Sequence, residues 1–209
     1  VGSCFADNIG KRFEEEKFRA MVNPFGVMYN PVSVLHTVKK MANHVFDTAV
    51  FTLGTNHVYV ERATGEIVDN CQKRPQREFK ERELTVEECA EALRQAITLL
   101  RQTNPKVKVI ITISPIRYAK YGYHGSQLSK AVLLLAADKV IKEEGERVYY
   151  FPAYGIVNDE LRDYRFYKAD MLHPNEQAVD YIWEQLVATC FSAEAQRFLE
   201  EWRPIKEAL

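Results

Sequence analysis

The chain has 209 residues, 46% of them hydrophobic, which is enough for one sizeable core with nothing to force a second domain, so residues 1–209 read as a single domain. Its 28 lysines and arginines stand against 29 aspartates and glutamates, and that balance gives no argument for nucleic acid or a membrane surface as a partner. Four scattered cysteines (Cys4, Cys71, Cys89, Cys190), with no CxxC and no histidine at metal-ligand spacing, indicate neither a disulfide framework nor a zinc site and fit a reducing, cytoplasmic setting.

In chain order, VGSCFADNIGKRF sets Ser3 and Cys4 directly ahead of a helical period (Phe5, Ile9, Phe13), so the pair is expected at a helix N-terminus. A helix with Pro31 at its first position is expected over 31–45, a strand over 49–54, and a hairpin over 57–70 turning at Thr64-Gly65. The run KRPQREFKERE mixes bases with acids, as solvated, salt-bridged loops do. A helix over 84–102 has Thr85 as N-cap and Glu88 completing a capping box. VKVIITISPIRY, residues 107–118, is the clearest strand. Its continuous apolarity means burial on both faces, as in a parallel sheet covered by helices. A helix over 126–145, a strand over 147–154 and a helix opening at Pro174 and running to 191 complete the alternation. The fold class is therefore α/β, a doubly wound and mostly parallel sheet flanked by helices. Only Val1 precedes the GSCF turn, so the strand expected to feed it is placed upstream of residue 1.

Two stretches carry the chemistry. At a helix N-terminus, unpaired backbone N–H groups and the helix dipole suit both a thiolate and the oxyanion of acyl transfer. Ser3 and Cys4 are thus nucleophile candidates, against the plainer reading of an N-cap serine and a small core cysteine. In KADMLHPNEQ, Asp170 and His173 stand three apart before a helix. A carboxylate there reaches one imidazole nitrogen and leaves the other for a cleft, which is the orienting half of a nucleophile–base–acid triad. The alternative is an N-cap acid beside a loop histidine. In a doubly wound sheet both stretches fall at the carboxyl ends of the strands, where ligands bind.

GSCFA at Gly2 to Ala6, followed in order by NPFGVMYNP, NCQKRP, SPIRY, QLSKAVLL, YFPAYGI, LRDYRFY and DMLHP, resembles the GSCFA domain family, which is grouped with the SGNH, or GDSL-like, hydrolases. The resemblance spans essentially the whole chain. It implies a three-layer hydrolase fold and a Cys/Ser–His–Asp triad, with Cys4 at the position where the superfamily has its serine nucleophile and Ser3 where it has aspartate. Ser3 remains a rival if the turn is shifted by one residue. The resemblance also implies an oxyanion hole, for which Gly26 and Asn56 of Gly54-Thr55-Asn56 are the candidates, with Asn70 as an alternative donor.

His57 is expected at the mouth of the site, and Arg162 and Arg165 either bind an anionic group of substrate or pair with acids. Ser129-Lys130 is not expected to act as a dyad, because neighbouring helical side chains point about 100° apart. These features favour an enzyme that cleaves or transfers an acyl ester, such as an O-acetyl group on a carbohydrate, with no metal or organic cofactor and no membrane or nucleic-acid partner. The competing class is an inactive carbohydrate- or ligand-binding module on the same scaffold. A phosphate-binding fold is disfavoured because the first turn has neither GxGxxG nor GK[ST].

Overall fold

A computed structural model describes residues 1–71 and 73–208. In chain order the elements are α1 (Cys4–Glu15), α2 (Pro31–Lys40), β1 (Thr48–Leu53), β2 (His57–Glu61), β3 (Ile67–Val68), β4 (Phe79–Glu83), α3 (Val86–Thr103), β5 (Lys108–Ile113), α4 (Gly122–Glu144), β6 (Val148–Phe151), α5 (Ala153–Gly155), α6 (Glu176–Cys190) and α7 (Ala193–Glu207). The helix α5 runs on into a π-helical stretch, Ile156–Leu161.

The centre is a parallel sheet in the order β1-β5-β6, extended at the β1 side by Val1 and Gly2. Thr52 N donates to the Val1 carbonyl at 3.0 Å, and Ser3 N donates to the Thr52 carbonyl at 3.0 Å. Period-2 alternation divides the β5 side chains between two cores. Val109, Ile111 and Ile113 face α2, α3 and α4, with Val34, Leu93, Ile97 and Leu133 among their neighbours in that cluster. Ile110 faces the other way, into a cluster with Phe5 and Ile9 of α1 and Val179, Ile182 and Trp183 of α6. Helices therefore cover both faces, as the continuous apolar run implies.

A second, antiparallel sheet in the order β3-β2-β4 lies beyond β1 in the chain. Its hairpin pairs Tyr59 with Val68 and Val60 with Ile67, as the turn residues predict. The strand β4 falls in the charged run read as a loop. It pairs along the whole of β2, and its lysine, arginine and glutamates fit because only Phe79 is buried. The capping box of α3 forms as expected: Thr85 Oγ1 accepts from Glu88 N at 3.2 Å and Glu88 Oε2 accepts from Thr85 N at 2.8 Å. At α6 the helix opens later than expected. Asn175 is the N-cap, and Pro174 instead bridges to Tyr167.

Candidate active site

The turn before α1 is fixed by the sheet. Gly2 has φ +151°, and a Cβ there would stand 2.1 Å from the Thr52 carbonyl oxygen, so only glycine fits. Ser3 is wholly buried, and its Oγ caps α1 by accepting from Phe5 N at 3.3 Å. That leaves the serine spent as a cap and turned away from solvent, and the nucleophile role expected for it as a rival does not fit this geometry. Cys4, the next residue, occupies the first position of α1 and is half-buried. Tyr29 and Tyr118 lie close enough that the charge of Cys4 helps raise both phenol pKa values, burial being the larger cause in each.

The second stretch is a closed loop. Lys168 N donates to the His173 carbonyl at 2.7 Å, and Met171 N to the Lys168 carbonyl at 2.9 Å. Within it, Asp170 Oδ1 accepts from Leu172 N (2.8 Å) and His173 N (3.0 Å), while Oδ2 meets His173 Nδ1 at 2.6 Å. The two backbone donors, then the imidazole, hold the Asp170 carboxyl down at about 2. An ionised carboxylate only accepts, so Nδ1 carries a proton, and in the neutral imidazole the lone pair falls on Nε2. No hydrogen bond to Nε2 occurs among the described residues. Arg117, four residues past β5, ties this loop to the sheet edge by donating N–H to the Leu172 carbonyl at 3.1 Å. Its guanidinium lies 4.2 Å from the Tyr167 ring centroid.

Both stretches thus lie at the carboxyl ends of parallel strands, Cys4 beside β1 and His173 above β5. No hydrogen bond joins Cys4 to His173 among the described residues. The expected oxyanion donors are placed otherwise. Gly26 sits in an exposed turn with its N–H donated to the Asn23 carbonyl at 2.8 Å. Asn56 is buried, and its Nδ2 donates one hydrogen to the Leu84 carbonyl at 2.8 Å. A sequence motif shows the residue type, whereas the fold decides which way each amide faces. Asn70 is exposed, at the end of the hairpin.

Among the substrate-binding candidates, His57 stacks on Tyr121 at 3.6 Å and faces Glu81 and Glu83 at 3.7 and 3.8 Å, so it belongs to the second sheet's own network. Burial, opposed by the two glutamates, lowers its pKa. Arg165 pairs with Asp163 at 3.3 Å, the acid-pairing alternative, and Arg162 is exposed after the π-helical stretch in a left-handed conformation. Among the described residues no group of three or more His, Cys, Asp or Glu side chains gathers as a metal site, and no helix is long and apolar enough to cross a membrane.

One residue set aside on sequence grounds proves central. Lys130 is 2% exposed, and its Nζ donates to the carbonyls of Gly54 (2.7 Å) and Ser114 (2.6 Å), the residues just past β1 and β5. Ser129 beside it accepts from Asn56 N at 3.0 Å and bonds Thr55 Oγ1 at 2.9 Å. The two do not act as a dyad; together they clamp the Gly54–Asn56 turn to α4. A readable signal existed, since Lys130 shares the helical spacing of Leu133, Ala137 and Val140, the buried face of α4.

The GSCFA family profile matches residues 1–49 and 45–186. This chain belongs to the GSCFA family. Among solved structures it is similar to a Streptococcus pneumonia protein provisionally described as a platelet activating factor (TM-score 0.58, 13% identity, covering 91% of this chain and 81% of that one). It is also similar to a carbohydrate esterase family 3 protein from Talaromyces cellulolyticus (TM-score 0.51, 14% identity, 84% and 70%) and to a mutant acetyl esterase with acetate ion (TM-score 0.50, 15% identity, 84% and 70%). At these identities the likeness is one of fold. No curated protein matches the sequence. For this GSCFA chain the fold is α/β, with the parallel sheet and flanking helices that those esterases carry.

Proposed function

We propose that this protein is an esterase of the SGNH type that cleaves or transfers an acyl ester, with an O-acetyl group on a carbohydrate as the substrate class. The observation that carries the reading is the Asp170–His173 pair: a carboxylate fixed by two backbone donors holds Nδ1 at 2.6 Å and leaves Nε2 as a base at the carboxyl edge of the sheet. Cys4, at the N-terminus of α1, supplies the nucleophile. His173 takes its proton and returns one to the leaving alcohol, and Asp170 fixes the tautomer. Esterases among the structural neighbours support the reaction class.

A second reading, a binding module on the same scaffold, draws on one fact: Cys4 and His173 share no hydrogen bond. Turnover of p-nitrophenyl acetate separates the two readings. Cys4→Ala and His173→Ala should both lower it steeply, while Cys4→Ser should keep measurable activity by restoring the hydroxyl nucleophile of the superfamily. Turnover indifferent to all three changes would exclude the esterase.

A further inference from the structure

Gly26 N–H is given to the Asn23 carbonyl and one Asn56 Nδ2 hydrogen to the Leu84 carbonyl, so an acyl-transfer site at Cys4 calls for a further donor to receive negative charge on the carbonyl oxygen. A side-chain donor beside Cys4 is unspent. The hydroxyl oxygen of Tyr118 is buried and has no hydrogen-bond partner among the described residues. Leaving such a group unpaired costs about 1–3 kcal/mol, so an orphaned hydroxyl that the fold retains asks for a function.

Its place is well determined. A Cβ on Gly54 would stand 2.1 Å from the Tyr118 oxygen, so the hydroxyl occupies the space that the glycine leaves open. Gly54 is two residues past Thr52, whose carbonyl takes the Ser3 N–H at 3.0 Å, and this sets the phenol beside the turn that carries Cys4. The ring is held on several sides: Tyr29 stands edge-on at 6.3 Å, Tyr121 lies 6.2 Å away, and Lys130 Nζ is 5.0 Å from the ring centroid. The same Nζ grips the Gly54 carbonyl, so ring and glycine are fixed relative to each other. Burial, and then the charge of Cys4, raise the pKa of the phenol, so it stays a proton donor across the working range of an esterase.

We propose that Tyr118 is a catalytic residue of this site, its hydroxyl donating the hydrogen bond that receives the carbonyl oxygen of an acyl group as Cys4 Sγ attacks the carbonyl carbon. The proposal rests on the esterase reading. The thiolate pair forms the S–C bond while the carbonyl π pair moves onto oxygen, where Tyr118 O–H meets it. On collapse that pair re-forms C=O, the C–O bond to the leaving group breaks, and the alkoxide takes the proton held by His173. Water then attacks the thioester by the same route in reverse, giving its proton to His173 and releasing the carboxylic acid. Tyr118 keeps its proton throughout. Access requires the Tyr29 ring, 40% exposed, to yield to the entering acyl group.

The test compares two reactions of Cys4 in the full chain. Acetylation by p-nitrophenyl acetate passes through an oxyanion, whereas alkylation by iodoacetamide does not. Tyr118→Phe removes one oxygen and keeps the ring. It should slow acetylation about 100-fold while leaving the alkylation rate within about twofold and Tm no lower, since the deleted hydroxyl was unpaired. A ring that merely packs would leave acetylation unchanged, and acetylation of Tyr118→Phe at the wild-type rate overturns the proposal while leaving the esterase reading intact. Wild-type protein that is alkylated at Cys4 but never acetylated overturns both. Gly54→Ala, whose methyl would displace the hydroxyl with the ring retained, should reproduce the selective loss of acetylation.

Discussion

The two halves of the candidate site are built in opposite ways. The Gly2–Cys4 turn is held by the rest of the molecule: Gly2 N donates to Asn23 Oδ1 at 2.8 Å, Met28 N to the Gly2 carbonyl at 2.8 Å, and the sheet bonds Ser3. The loop over 168–173 is held mainly by itself, and the side chains of His173 and Asp170 remain 35% and 44% exposed. The Cys4 side is thus part of the core, and the His173 side is a prefabricated hydrogen-bonded unit docked on the residues after β5. Substitutions of Gly2 and Ser3, which hold the first half in place, should register as stability, and substitution of His173 in the second as chemistry.

The largest expected effect is on the second half. His173→Ala should lower ester turnover about 10³-fold, equivalent to roughly 4 kcal/mol of barrier, while urea unfolding stays within about 0.5 kcal/mol of wild type. A matching loss of stability would break the comparison by making the loop part of the core. Gly2→Ala comes next, with a methyl forced against the Thr52 carbonyl. It should cost about 3 kcal/mol in urea unfolding, and an unchanged midpoint would mean that the turn is not locked as described. Ser3→Ala removes the cap of α1, at about 1 kcal/mol or about 2–4 °C in Tm for a chain of this size, with turnover per folded molecule kept.

The smallest effect sharpens the description of the loop. The Asp170 pKa is depressed from 3.8 to about 2, so the contribution of the pair is fully present above 3.8 and is lost as pH falls through about 2. NMR titration of the Asp170 carboxyl should find its midpoint near the lower value, and a midpoint at 3.8 would mean that the loop does not hold its carboxylate.

Much of this was legible in the residues. The unbroken apolar run ending at Ile113 gives a strand buried on both faces, and Thr85 with Glu88 marks the start of α3 to the residue. Asp170 and His173 could be paired because a three-residue spacing in a tight loop leaves few other geometries. β4 was hidden because a strand with one buried side chain among five reads as a charged loop. α7 was hidden because Leu199 is its one buried residue and Pro204 interrupts its pattern. The bond from Asn56 to the Leu84 carbonyl was not legible, because Leu84 lies 28 residues from Asn56 and only the fold brings them together.

Lys130 gives the fold a proton balance of its own. Around its Nζ stand the carbonyls of Gly54 and Ser114 and the rings of Tyr118 and Tyr154, with no carboxylate partner among the described residues. Burial pulls its pKa from 10.5 down to about 7. Between those two values the unfolded chain carries a proton at this site that the folded chain does not, so the contribution of this residue to stability improves as pH rises from about 7 towards 10.5. Below about 7 the full cost of a buried cation is borne. In mildly alkaline solution each molecule that folds therefore expels a proton here. The calorimetric heat of unfolding should accordingly vary with the ionisation enthalpy of the buffer, and the Lys130→Met protein should show a weaker dependence.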